Sequence, residues 1–283
     1  MPTFAIPNQK FTLCFPPYPE YTPGNRFLMR LLQIEADGEF SLTDFVGIPV
    51  PEYAILSHTW GQDCEEVTFK ELTEGKPIDK TKLGYRKLIF CGEQAATDGL
   101  QFFWVDTCCI DKSSSAELAE AINSMFRWYQ NSARCYVYLS DISSDAAENS
   151  QSFHESRWFT RGWTLQELLA SKSVEFFSVE RHRFGDKSSM AKEIQAITEI
   201  PIQALNGTNL SLFSVDERMS WADKRKTKRP EDAAYSLMGI FDVNIPILYG
   251  EGKKKAFTRL RKEIEETQNN SIRIAQKPYV CCP

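Results

Sequence analysis

The chain has 283 residues and a net charge of −5, from 33 Lys and Arg against 38 Asp and Glu. With 42% apolar and 25% charged residues, it has the composition of a globular protein that can bury a large core. The mild acidity argues against an open nucleic-acid surface, because such a surface needs a clustered basic face.

The N-terminal segment, residues 1–26, is predicted to be an extended or poorly ordered arm because it is rich in proline. It lacks the charged and apolar regions of a secretory signal, and no uncharged run approaches the roughly 20 residues that span a bilayer. We therefore expect a cytoplasmic protein without a membrane span. The eight cysteines form no C-x-x-C pair and accompany only three histidines, which favours buried thiols over disulfides or a metal site.

Short apolar runs alternate with helical segments from residue 27 to residue 180. Runs that are apolar throughout are typical of parallel strands covered on both faces. The predicted strands are residues 53–57, 102–106, 135–139 and 174–178. The segments between them have helical periodicity, and Ser114 with Glu117 predicts a capping box at the start of one helix. The order predicts an α/β core, a mostly parallel sheet flanked by helices.

The C-terminal part, residues 181–267, is predicted to be a helical annex. Its four helical segments are separated by Pro- and Gly-containing turns. They are residues 190–197, 216–222, 232–241 and 253–266. Residues 27–267 thus form the predicted folded unit, and residues 268–283 an irregular tail without periodicity.

Polar residues follow three of the predicted strands. Because ligands of an open parallel sheet bind beyond the carboxyl ends of its strands, these residues predict a site along one edge. They are Ser57 to Trp60, Asp106 to Cys109, and Ser140 with Asp141. Ser and Asp are also ordinary turn residues, and for any one of them that interpretation is the simpler one.

The segment 157–169 is the most informative for function. At about 100° per residue, Glu167 and Trp163 share one helical arc, opposite the three leucines. A solvated surface glutamate is the simpler interpretation, but a neighbouring indole favours the wall of a cleft. The basic run 224–229 indicates a nuclear signal, a phosphate-binding patch or a solvated loop, and we favour the loop because Pro230 and two acidic residues follow.

Three segments resemble, in order and spacing, the signature blocks of the fungal heterokaryon incompatibility (HET) domain. They are residues 53–61 (YAILSHTWG), 104–111 (WVDTCCID) and 161–167 (RGWTLQE). Residues 229–241 and 248–252 look like later blocks, so the likeness covers roughly residues 28–266. The resemblance implies a role in allorecognition and regulated cell death. It also implies partners among further copies of the chain or other HET or NLR-type death-signalling proteins.

HET domains are in turn similar to Toll/interleukin receptor (TIR) domains, which implies a flavodoxin-like sheet. Several TIR domains cleave NAD with a glutamate in a segment of the form Ser-x-Trp-Cys-x-x-Glu-Leu. The matching residues here place Glu167 at the catalytic position, with Arg161 and Thr164 in place of the serine and cysteine. The resemblance therefore implies NAD as the substrate, with no prosthetic group and no metal.

A single carboxylate is compatible with this chemistry, because the cationic nicotinamide leaves as a neutral molecule and needs no proton. Glu167 would stabilise the oxocarbenium-like transition state. The candidate binding residues are Ser57, His58, Thr59, Trp60, Gly61, Asp106, Cys109, Arg161 and Trp163. Two other hypotheses are a non-enzymatic oligomerising adaptor and a nucleotide sensor that binds without turnover.

Overall fold

The computed structural model describes residues 28–75, 77–144 and 150–275. The predicted N-terminal arm and residues 276–283 of the predicted tail lie outside these residues. Residues 268–275 of that tail are helical, a correction to the predicted irregular segment, because the helix that begins at Lys253 continues to Ala275. The strands are β1 (Leu28–Ile34), β2 (Phe40–Val46), β3 (Tyr53–His58), β4 (Phe102–Trp104), β5 (Arg134–Tyr138), β6 (Val174–Phe177) and β7 (Arg183–Asp186). They form one sheet in the order β2-β1-β4-β3-β5-β6-β7.

Eleven α-helices are present in the described part of the chain. They are α1 (Phe69–Thr73), α2 (Leu83–Thr97), α3 (Ser115–Asn131), α4 (Ser150–His154), α5 (Thr164–Ala170), α6 (Ala191–Thr198), α7 (Ile202–Leu205), α8 (Val215–Ser220), α9 (Asp232–Tyr235), α10 (Met238–Phe241) and α11 (Lys253–Ala275). No helix in these residues is long and apolar enough to cross a membrane.

The four predicted strands form the parallel centre of the sheet, which confirms the predicted α/β fold. The parallel pairs are β4 with β3, β3 with β5, and β5 with β6. Across the sheet these strands lie in the order β4-β3-β5-β6. If the four are numbered along the chain, this order is 2-1-3-4, which is that of a flavodoxin-like sheet. β3 is buried along its whole length, as its uninterrupted apolar run predicts.

Three antiparallel strands, β1, β2 and β7, were not predicted. β1 and β2 form a hairpin in which β1 lies between β2 and β4, and β7 pairs with β6 although its own segment is predicted to be only helical. These strands mix polar and apolar residues, so they lack the continuous apolar run by which the central strands are predicted. The boundary between core and annex near residue 180 stays a prediction.

Two predicted helices are broken in the structure. The segment 158–170 divides into a 3-10 helix (Arg157–Thr160) and α5, and the segment 232–241 divides into α9 and α10. The first break is held by residue 226, because Gly162 N donates to Lys226 O at 2.9 Å and Lys226 N donates to Thr160 O at 2.6 Å. The basic run 224–229 is a loop with four of its six side chains exposed, as predicted, but the backbone of residue 226 is hydrogen-bonded to this break and Arg225 is half-buried.

The capping box predicted for α3 is half formed. Ser114 Oγ accepts from Glu117 N at 3.3 Å, as predicted. The Glu117 carboxylate instead accepts from Asp111 N at 2.6 Å and pairs with Arg30 of β1. The predicted buried thiols are confirmed within the described residues at Cys91, Cys108, Cys109 and Cys135, whereas Cys64 is exposed.

Candidate active site at the carboxyl edge of the sheet

The chain direction across the sheet reverses at β3. β4 follows β3 on one side, whereas β5 returns to its other side, so the crevice beyond β3 and β5 is a topological switch point. Two groups of polar side chains lie at this edge. We call Ser57, Trp158 and Glu167 the glutamate cluster, and His58, Trp60, Asp106 and Lys112 the aspartate cluster.

The glutamate cluster joins the end of strand β3 to helix α5. Ser57 Oγ donates to Glu167 Oε2, and Trp158 Nε1 donates to Ser57 Oγ at 2.8 Å. Ser57 is 0% exposed and Glu167 is 7% exposed, so these hydrogen bonds lie out of contact with bulk water. Because successive strand residues point to opposite faces, Ser57 faces α5 whereas His58 is free to meet a different partner.

The Glu167 carboxyl is held largely in its neutral form. Burial raises its pKa to about 8, and the negative charge of Asp106 adds to this rise. The hydroxyls of Ser57 and Tyr129 and the positive charge of Arg225 act in the opposite direction. A buried carboxyl with such a raised pKa is more frequent at functional sites than at structural ones.

The aspartate cluster is centred on Asp106, two residues after the end of β4. Asp106 Oδ1 lies 3.0 Å from His58 Nε2, and Asp106 Oδ2 accepts from Trp60 Nε1 at 2.9 Å. Lys112 Nζ lies 3.8 Å from the centre of the Trp60 ring. Burial opposes ionisation of Asp106, but the charge of Lys112 and these hydrogen bonds outweigh it and hold its pKa at about 2.

The two carboxyl groups at this edge therefore differ in charge at neutral pH. Asp106 is ionised and Glu167 is mostly protonated, although each acts on the other through space. Environments that push two neighbouring carboxyl pKa values apart are a common feature of sites for acid-base and glycosyl chemistry.

A buried ion pair fixes the loop that follows β3. Glu66 Oε1 accepts from Lys87 Nζ at 2.5 Å and from Gly61 N at 2.7 Å, and Lys87 Nζ also donates to Thr59 O at 3.1 Å. The Thr59 hydroxyl lies 3.3 Å from that of Ser140, at the end of β5. These contacts hold the backbone on both sides of Trp60.

Five of the predicted site residues lie outside the two clusters: Thr59 and Gly61 belong to the loop just described, and the other three lie farther away. Cys109 Sγ is buried and accepts from Val105 N at 3.4 Å, inside the turn after β4. Arg161 contributes backbone atoms to the break before α5, and the Trp163 side chain opposes the rise in the pKa of Asp232 of α9 that burial causes. The indole that joins the glutamate cluster is that of Trp158.

Residues of the site that sequence reasoning missed come from several elements. Trp158 precedes the break in the helix, so helical periodicity could not relate it to Glu167. Arg225 Nη1 donates to Arg161 O and to Thr164 Oγ1, both at 2.8 Å, at the start of α5. Every residue of α5 is buried, which corrects the prediction of a helix with one polar face lining a cleft.

Two hollows of the described structure lie outside the two clusters. A cavity of about 150 Å³ lies beside Arg225, between α6 and α8, and a groove of about 1330 Å³ lies at the opposite end of β5 and β6. Neither hollow is lined by Ser57 or Glu167. Within the described ranges, His, Cys, Asp and Glu side chains form no group of three or more that could hold a metal ion.

Comparison with known proteins identifies the family. The family model described as "Heterokaryon incompatibility protein (HET)" matches residues 53–156. The "Vegetative incompatibility protein HET-E-1" of Podospora anserina is 56% identical over 243 residues, which are 83% of this chain and 18% of the relative. The chain belongs to the HET family. No solved structure matches it.

The HET family match covers only part of the candidate site. Its matched residues, 53–156, include Ser57 and the whole aspartate cluster but end before Trp158, Glu167 and Arg225. The HET domain chain spans about a fifth of the length of its relative, so the alignment compares one portion of that protein with this chain.

Proposed function

We propose that this HET domain acts in heterokaryon incompatibility by cleaving the bond between nicotinamide and ribose in NAD. The observation that carries the proposal is the Glu167 carboxyl, held by Ser57 at the switch point of a flavodoxin-like sheet. The names of the family and of the Podospora relative support the incompatibility role.

The reaction needs little acid catalysis. The C1′–N bond breaks, its electron pair returns to the pyridinium nitrogen, and nicotinamide leaves neutral. Water adds to C1′ of the ribose and releases one proton, so the products are ADP-ribose, nicotinamide and H⁺. Glu167, as a carboxylate, would stabilise the positive charge that develops on the ribose.

Glu167 must lose its proton to act as a carboxylate, and the positive charge of the substrate favours this ionisation. With a pKa of about 8, the carboxyl is mostly protonated in the free protein at neutral pH. A cationic pyridinium bound nearby favours the ionised form and lowers this pKa. The ionised Asp106 adds further negative charge for the cationic ring.

Trp60 is the aromatic residue best placed to receive the nicotinamide ring. Trp158 is fully buried, whereas Trp60 is half-buried. Its ring face already holds one cation, since Lys112 Nζ lies 3.8 Å from the ring centre. The pyridinium would replace Lys112 on this face, and because Glu167 is 7% exposed, we expect the loop at Trp60 to move when NAD binds.

Nicotinamide release from NAD, followed by chromatography, tests the proposal. We expect Glu167→Gln to lower the rate by about 100-fold or more, because it removes the charge that stabilises the transition state. Glu193→Gln, at an exposed position on α6, is the control and should retain full activity. Assays at low and high protein concentration also detect activity that depends on self-association of the chain. An inactive wild type at all concentrations, or an unchanged Glu167→Gln variant, contradicts the proposal.

Burial of Glu167 favours a second function, that of an oligomerising adaptor without catalysis. In that case the glutamate cluster only ties β3 to α5. Expression of Glu167→Gln in fungal cells separates the two functions, provided that the variant folds. Undiminished cell death with no fall in NAD supports the adaptor, whereas calorimetric NAD binding without product supports a sensor.

A further inference from the structure

The backbone of Lys226 holds the neighbouring Arg225 at the start of α5. The two hydrogen bonds of residue 226 bind this part of the basic run along residues 160–162. Arg225 is therefore fixed beside the first turn of α5, although it is more than fifty residues distant from Glu167 in the sequence. The exposed side chain of Lys226 points elsewhere and offers a matched neighbour for comparison.

The guanidinium of Arg225 is only partly satisfied. Its Nη1 has two acceptors, Arg161 O and Thr164 Oγ1, but its Nη2 is buried and has no hydrogen-bond partner among the described residues. Among the described residues, the Arg225 guanidinium also forms no direct ion pair with a carboxylate. A cation placed in this way is costly unless a negative charge compensates it.

Thr164 and Glu167 are three residues apart on α5 and share one side of the helix. A guanidinium bound to Thr164 Oγ1 therefore lies about one turn before the Glu167 carboxyl. The two groups act on each other electrostatically: Arg225 lowers the pKa of Glu167, and Glu167 raises that of Arg225 against the effect of burial.

We propose that Arg225 is a positioning residue for Glu167: its fixed guanidinium is the counter-charge that lets this buried carboxyl ionise when substrate binds. The inference rests on the proposed function of Glu167. Arg225 does not touch the substrate and acts only through the carboxyl.

The other titratable groups that face Glu167 cannot take this role. Asp106, after β4, is an anion and opposes ionisation of Glu167. Tyr129 of α3 and Cys135 of β5 stay neutral, because burial raises the pKa of each. Arg225 is a cation at any physiological pH, since a guanidinium does not deprotonate in proteins.

A double-mutant cycle tests this inference without any measurement of activity. Arg225→Gln and Glu167→Gln are made singly and together, and urea unfolding is measured at about pH 6 and about pH 9. Glu167, with a pKa of about 8, is protonated at the lower pH and ionised at the higher pH. We expect no coupling between the two positions at about pH 6 and a favourable coupling at about pH 9.

The pH at which Glu167 ionises gives a second readout. Arg225→Gln should raise the Glu167 pKa, so the pH-dependent difference in stability between Arg225→Gln and the double variant should lie at higher pH than that between the wild type and Glu167→Gln. Lys226→Gln removes a neighbouring charge and should shift nothing. Arg225→Lys retains a cation whose own pKa is lowered by burial, so it should raise the Glu167 pKa less than Arg225→Gln does, and it covers the case in which Arg225→Gln does not fold.

The outcomes separate this inference from the proposed function. Coupling that does not change with pH, or an equal shift in Lys226→Gln, overturns the role of Arg225. If the wild type cleaves NAD, the acid limb of its pH profile should move to higher pH in Arg225→Gln and move less in Arg225→Lys. If the wild type releases no nicotinamide, the proposed function fails, and the unfolding cycle still decides the role of Arg225.

Discussion

Ser57 is a hydroxyl near the end of a buried, mostly apolar strand. Such a group is stable there because it donates to Glu167 and accepts from Trp158, so all three polar side chains are satisfied together. Removal of Ser57 leaves both other members with unpaired buried atoms, whereas removal of Trp158 or Glu167 leaves Ser57 with one hydrogen bond fewer. The cluster is therefore cooperative, and the identity of each member depends on the other two.

Ser57→Ala should destabilise the protein by about 1–3 kcal/mol, because the Trp158 indole N–H and the Glu167 carboxyl each lose a buried partner. It should also raise the pKa of Glu167 further, since the Ser57 hydroxyl lowers it. Urea unfolding at neutral pH measures the loss of stability. Ser211→Ala, at an exposed position, is the control, and an equal effect of the two substitutions contradicts the prediction.

At the scale of elements, short backbone interruptions set the geometry of the site. Residues 161–163 separate the 3-10 helix from α5, and the backbone of residue 226 pairs with this break. Gly162 permits the close approach, because a Cβ there would lie 2.4 Å from Thr227 Cγ2. The break turns Trp158 toward Ser57, an orientation that one continuous helix would not produce.

The start of α2 is pressed against the loop that carries Glu66. A Cβ at Gly84 would lie 2.6 Å from Val67 N and 2.8 Å from the Glu66 Cα, and both are backbone atoms that cannot rotate away. Gly84→Ala should therefore move the loop, disturb the Glu66–Lys87 ion pair and cost about 1–3 kcal/mol.

Gly61→Ala is the matched control for this prediction. A Cβ at Gly61 meets only the Glu65 side chain, whose carboxylate oxygen is 2.6 Å away and can turn aside. Thermal or urea unfolding of both variants measures the difference. A loss in Gly84→Ala no larger than that in Gly61→Ala would show that α2 is free to shift.

At the scale of the whole molecule, a hairpin of β1 and β2 extends the parallel sheet on one side. Glu117 at the start of α3 connects the two parts, because its carboxylate pairs with Arg30 of β1 and accepts from Asp111 N. Arg30 also pairs with Asp44 of β2 at 2.9 Å. The hairpin thus depends on side-chain contacts as well as on its pairing with β4.

Glu117→Ala should loosen the hairpin, because Arg30 loses its less exposed partner and Asp111 N loses its acceptor. We expect faster amide hydrogen exchange in residues 28–46 and a loss of stability of about 1–3 kcal/mol. Glu265→Ala, an exposed substitution on α11, controls for the general effect of Glu to Ala in a helix. Exchange that rises equally throughout the sheet would contradict a local connection.

The opposite end of the sheet has a large groove that contains two buried cations. Both already have structural partners: Lys187 Nζ donates to Leu168 O at 3.0 Å, and Arg218 Nη1 donates to Ile240 O at 3.0 Å. These acceptors lie in the last turns of α5 and α10, where positive charge is favourable. These two cations therefore stabilise the carboxyl ends of two helices.

The parallel centre of the sheet, the crossover helices α2 and α3 and the resemblance to HET domains were predictable from the sequence alone. These features rest on local apolar periodicity and on contiguous motifs, which a single chain displays without its fold. Glu167 was also found in this way, from its place in the segment 161–168.

The surroundings of Glu167 were not predictable from the sequence and follow from the three-dimensional fold. Ser57, Trp158, Tyr129 and Arg225 come from four separate segments, and their contacts depend on the strand order and on a broken helix that no periodicity indicates. The edge strands were missed for a related reason, since a half-exposed strand is stabilised by its pairing partner. Local pattern determines which face of an element is buried, whereas the charge of a buried carboxyl is determined by groups that the fold brings together from distant positions.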